Sequence, residues 1–96
     1  MYVILVYDID LASDQPQGAK VLRHCFKICK KYLTHIQNSV FEGELTQAQL
    51  NKLKFELSKW VRDGTDSVVI FKNYNKKWLD KEFLGQDRSN ADSNFF

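Results

Sequence analysis

No stretch of this sequence approaches the roughly 20 consecutive apolar residues that a membrane-spanning helix needs, so no such helix is expected. Cysteine is scarce: Cys25 and Cys29 are the only two, spaced by one helical turn, too few for a disulfide framework or a four-ligand zinc site. The apolar opening lacks a basic leader and runs into Asp8 and Asp10 instead of a small-residue cleavage site. Together these absences predict a reduced, cytoplasmic protein without an export signal. Charge of one sign is also lacking. Net charge is only +2, so its distribution, not its total, must carry any electrostatic argument.

What is present is a globular balance: 44% hydrophobic, 14% aromatic and 27% charged residues, too apolar for intrinsic disorder. Ninety-six residues allow one hydrophobic core, hence one domain. We read it as residues 1–85, followed by a loose, mostly polar tail over 86–96 that ends in Phe95 and Phe96.

Tyr2 to Tyr7 (YVILVY) is continuously apolar, β-branched and aromatic, which predicts a central strand buried on both faces. A loop is expected over Ala12 to Gly18, which contains the only proline, Pro16. From about Gln17 to Leu33 the residues Leu22, Cys25, Phe26, Cys29, Tyr32 and Leu33 recur at steps of three and four, one face of an amphipathic helix. Thr34 to Leu45 reads as a hairpin turning near Asn38, or as one long bent strand. Thr46 and Gln49 form a capping-box pattern. Leu50, Leu53, Leu57, Trp60 and Val61 then continue a second helix, with Gly64 as its expected stop. Ser67 to Lys72 (SVVIFK) is a further apolar strand run, and Phe83 with Leu84 predicts a short C-terminal strand.

This order gives an α+β, ferredoxin-like βαββαβ domain, with both helices on one face of an antiparallel sheet. Strands apolar on both sides would leave the other face in need of a cover, for which a second copy is the simplest candidate, so a homodimer is expected.

Two features carry chemistry. Asp8 and Asp10 follow a buried strand, where a carboxylate must be solvated, paired or bound to a cation. Phosphodiester hydrolysis needs such a cation, and carboxylate oxygens suit Mg²⁺. A twofold axis pairing two Asp8 side chains would double the donors, with Asp10 behind them. The alternative is that both aspartates only end a strand and begin a turn. The second feature is a run from Gln15 to Phe41 holding Lys20, Arg23, Lys27, Lys30 and Lys31 and no acid. At helical spacing these make a basic stripe that would hold nucleic acid by releasing counterions, or else a merely solvated face. Cys25 and Cys29 share the apolar face with Leu22, Phe26 and Leu33, so they read as buried structural thiols. His24 and His35 stand apart from any nucleophile pattern, with a minor phosphate-contact role left for His35. Phe41 reads as core or interface.

The opening YVILVYDID, the centre IQNSVFEGELT and the closing WLDKEFLG together make a sequence that resembles the CRISPR-associated protein 2 family across nearly its whole length. The resemblance implies a ferredoxin-like homodimer that partners the CRISPR integrase, CRISPR-associated protein 1, during capture of new spacer DNA. It also implies a metal-dependent endonuclease on RNA or DNA whose metal-binding aspartate sits in a Tyr-Asp pair, here Tyr7 and Asp8. One departure stands out: Leu11 to Ala19 is longer and less basic than the family's corresponding run, leaving Lys20 and Arg23 nearest to its usual arginines. Two function classes follow, a Mg²⁺-dependent nuclease and a non-catalytic scaffold for integrase and DNA.

Overall fold

A computed structural model describes residues 1–75 and 80–85. Its elements run β1 (Tyr2–Asp8), α1 (Gln15–Tyr32), β2 (Thr34–Gln37), β3 (Val40–Glu44), α2 (Gln47–Ser58) and β4 (Ser67–Asn73). The four strands form one sheet in the order β2-β3-β1-β4, and each paired neighbour is antiparallel. This is the ferredoxin-like α+β arrangement expected from the order of elements.

Alternation along β1 sends Val3, Leu5 and Tyr7 under the helices, where they are fully or almost fully buried. They meet Phe41 of β3, Val21, Cys25 and Cys29 of α1, and Leu50, Leu53 and Leu57 of α2. Burial pushes the thiols up, Cys25 to about 11 and Cys29 to about 12, so both stay protonated, as structural cysteines do. Tyr2, Ile4 and Val6 point to the opposite face, where they are only half-buried.

Several local expectations are corrected. Gln15–Tyr32 is helical, so most of the loop expected over Ala12 to Gly18 is helix. Asp14 caps its start by accepting from the Gln17 amide, and Pro16 sits in the first turn, where its missing N–H is harmless. The Thr46–Gln49 capping box is present, but α2 ends at Ser58, well before Gly64. Gly64, at φ +74°, instead serves a later turn closed by bonds from the Thr65 and Asp66 amides to the Arg62 carbonyl. Among the described residues β4 pairs only with β1, at the edge of the sheet, and it has no fully buried residue. Val69 and Phe71 are 46% and 58% exposed.

The predicted short strand at Phe83 and Leu84 does not form. That segment lies over β3, tied by a Lys81–Glu42 ion pair, and β3 already has ladder partners on both sides. It lines a shallow pocket with Ile4, Ile36 and Val40. The tail expected over 86–96 lies outside the described residues.

Gly18 shows how tightly the start of α1 meets the loop after β1. A Cβ there would lie 2.4 Å from the Asp10 carbonyl oxygen. Glycine to alanine within a helix ordinarily adds about 0.5–1 kcal/mol of stability. Here the clash is with backbone, and overpacking costs about 1–3 kcal/mol. Gly18→Ala is therefore expected to lower the melting temperature. An unchanged or raised value would show that the loop yields freely.

Candidate metal and nucleic-acid site

Asp8 ends β1 and pairs with Ser67 at the start of β4. Its side chain is exposed and, among the described residues, has no hydrogen bond or ion pair. By alternation it shares a face with Ile4 and Val6. As a donor, an unengaged carboxylate fits Mg²⁺, which is commonly held by one or two such groups plus water and phosphate oxygens. No cluster of three or more His, Cys, Asp or Glu occurs among the described residues, so they do not assemble a full ligand set within one chain.

Tyr7 points the other way. Its ring is 3% exposed and lies 5.7 Å from that of Phe41, while its amide donates to the Ser39 carbonyl. Burial raises its phenol above the ordinary value. Tyr7 therefore anchors Asp8 through the backbone. The Asp10 carboxylate is turned forward, accepting from the Ala12 and Ser13 amides and the Ser13 hydroxyl, which hold it below the usual carboxylate range. It shapes the loop behind Asp8.

The stripe residues Lys20, Arg23, Lys27, Lys30 and Lys31 are all exposed on α1. They lie on the helical side of the sheet, so the structure does not gather them around Asp8. Lys20 to Lys31 spans ~16 Å at 1.5 Å per residue. Only the first end reaches the exit of β1, where Gly18 packs against Asp10 and Leu11. At the other end Lys31 is engaged by Glu56, whose hydrogen bond raises the lysine and keeps the acid low.

Two arrangements were not legible from sequence. His24 stacks on Trp60 with ring centroids 3.6 Å apart, and the Lys20 ammonium stands 5.8 Å from the Trp60 ring. Desolvation, with Arg23, Lys27 and Lys20 nearby, pulls His24 below its ordinary value. Against the loop after Asp8, Arg62, partly exposed, pairs with the fully enclosed Asp66 side chain, and an Arg-x-x-x-Asp spacing around Gly64 was the available signal. His35 is enclosed by Phe26 and Phe41, and its Nε2 donates to the Asn38 carbonyl at 2.6 Å, which removes it as a phosphate contact. Phe41 is wholly core.

Fold and site together define a ferredoxin-like domain with one helix-covered face, a second face on which the 80–85 segment lies over β3, and a solvent-facing acid where its central strand ends. The family model for CRISPR associated protein Cas2 matches residues 1–81, and the chain belongs to that family. The CRISPR-associated endoribonuclease Cas2 of Fusobacterium nucleatum subsp. nucleatum is 50% identical over 93 residues, 97% of this chain and 85% of that protein. The protein of the same name from Thermotoga maritima is 40% identical over 88 residues, 92% of each chain. The crystal structure of Streptococcus pyogenes Cas2 matches with a TM-score of 0.76 at 34% identity, covering 88% of this chain and 100% of that one.

Proposed function

We propose that this chain acts in CRISPR adaptation as a homodimer, working with the CRISPR integrase on new spacer DNA, and that it hydrolyses phosphodiester bonds in RNA or DNA with Mg²⁺ at paired Asp8 residues. The observation that carries the reading is the placement of Asp8: exposed, unengaged among the described residues, and on the same face as the apolar residues Ile4, Val6 and Val69. The name endoribonuclease carried by the relatives supports it.

A bound Mg²⁺ would supply charge to polarise the phosphate and lower the pKa of attacking water. The chain's own part is to present the Asp8 carboxylates at the dimer junction and to draw the substrate backbone toward the end of α1 that carries Lys20 and Arg23. A purely structural reading, a rigid dimer that spaces integrase subunits and carries DNA, is favoured by one observation: among the described residues a single chain offers no cluster of three or more metal-ligating side chains. Incubating the purified protein with single-stranded RNA and duplex DNA, in Mg²⁺ and in EDTA, separates the two. Cleavage in Mg²⁺ alone supports the nuclease, and no cleavage of either substrate leaves the scaffold. Light scattering should report twice 11.3 kDa. A monomer at micromolar concentration would contradict both readings.

Nucleic-acid binding is expected to weaken steeply with salt, because each phosphate contact releases condensed counterions. Replacing Lys20, Arg23 and Lys27 together by glutamine should lower affinity and reduce the log–log salt slope by up to roughly 2–3. An unchanged slope would make the stripe a solvated surface only.

A further inference from the structure

Both main-chain polar atoms of Asp10, two residues beyond Asp8, are held by one ion pair from the distant turn before β4. The Asp66 side chain is fully enclosed. It accepts from the Asp10 amide at 2.9 Å, and from the amide, Nε and Nη2 of Arg62 at 2.9, 2.8 and 2.9 Å. Arg62 Nη2 also donates to the Asp10 carbonyl at 2.7 Å. That same carbonyl lies where a Cβ on Gly18 would collide with it, so it is confined from two sides.

Asp66 immediately precedes Ser67, the residue opposite Asp8 in the β1–β4 ladder. One guanidinium–carboxylate pair therefore fixes the chain on both sides of Asp8, at the exit of β1 and the entry of β4. Stability alone does not call for an ion pair here, since well-packed apolar residues often replace buried pairs without loss. What apolar residues cannot do is bind the amide and the carbonyl of Asp10 together, which fixes the orientation of two successive peptides as well as their position. The turn makes this possible: Gly64 at φ +74° brings Asp66 back onto the amide of Arg62.

We propose that Arg62 and Asp66 are positioning residues for Asp8, setting the backbone that carries its carboxylate before a divalent cation arrives. This rests on the reading of Asp8 as the cation-binding residue. Groups behind a metal ligand typically change affinity about 10–100-fold when altered, because a ligand that must be ordered on binding binds more weakly. The pair touches neither substrate nor cation and acts only through the Asp8–Asp10 backbone.

The test uses the full chain with Arg62→Lys, which keeps the charge and loses the fork, and Asp66→Asn, which keeps the shape and loses the charge. Mn²⁺ binding is titrated by electron paramagnetic resonance below each variant's unfolding temperature, and amide exchange is followed at Asp10. Both variants should bind Mn²⁺ about tenfold or more weakly, with the Asp10 amide exchanging faster than in the parent. If Asp66→Asn does not fold, Arg62→Lys decides the matter alone. Folded variants whose Mn²⁺ affinity stays within about twofold of the parent, with a faster Asp10 amide, would make the pair a fold clamp only and overturn the proposal. Asp8→Asn is the reference. Should it leave Mn²⁺ binding intact, the reading of Asp8 itself falls, and the proposal with it.

Discussion

Asp8→Asn is expected to lose metal-dependent cleavage by at least about 100-fold while melting at nearly the same temperature as the parent protein. The two halves of this expectation have separate causes. A partner standing behind a metal ligand is worth about 10–100-fold, and the ligand itself can be worth no less. In a twofold pair the substitution removes both carboxylates at once. Stability is another matter: Asp8 is exposed and, among the described residues, makes no hydrogen bond or ion pair. Surface substitutions of that kind stay within about 0.5 kcal/mol, equivalent to no more than about 4 °C in a domain of this size. Cleavage assayed alongside thermal melting checks both halves. Retained cleavage would place the chemistry elsewhere, and a large fall in melting temperature would mean that Asp8 is structural.

Asp66 is expected to behave in the opposite way, with a stability effect among the largest of any single polar residue here. Asp66→Ala would leave Arg62 facing an emptied pocket and the Asp10 amide without its acceptor. Removing one member of a buried pair costs about 3–5 kcal/mol, a large part of the 5–15 kcal/mol that holds a typical domain together. The melting temperature should fall by more than about 12 °C. A pH dependence follows from the same contacts. The Arg62 hydrogen bonds, then those from the Arg62 and Asp10 amides, hold the Asp66 carboxyl down from 3.8 to about 2 against the opposing effect of burial. A carboxyl whose folded value is depressed stabilises the protein above its unfolded value and loses that contribution as pH falls toward the folded one. Asp66 thus contributes fully above about pH 4, and its contribution of roughly 2–3 kcal/mol disappears between about pH 4 and pH 2. Denaturant melts of the parent and of Asp66→Asn across that range should converge as the pH drops. Curves that stay parallel would show that the pair is not the source.

Much of the architecture was legible because local chemistry and tertiary structure agree. The YVILVY run became β1, the Thr46–Gln49 box starts α2 as its hydroxyl and amide dictate, and the chain turns back at Asn38, which adopts φ 43°. Pro16 misled because the same residue breaks a helix interior and favours a helix start, and the choice depended on Asp14 capping in front of it. SVVIFK looked buried because an apolar run does not disclose whether its strand has one ladder partner or two. Among the described residues β4 has one.

The place of Asp8 at the end of β1 was legible in the sequence, and the arrangement around it was not. That the stripe lies on the opposite side of the sheet depends on which face α1 covers, and no spacing within α1 records it. The Arg62–Asp66 pair joins residues to a loop 52 positions away at Asp10, and His24 meets Trp60 across two helices. Such contacts exist only once the chain has folded.

Counting the Mn²⁺ bound to the dimer shows whether Asp8 from two chains holds one divalent cation between them. One ion for every two chains is expected, with binding abolished in Asp8→Asn. One ion per chain, or binding that survives the substitution, would contradict it.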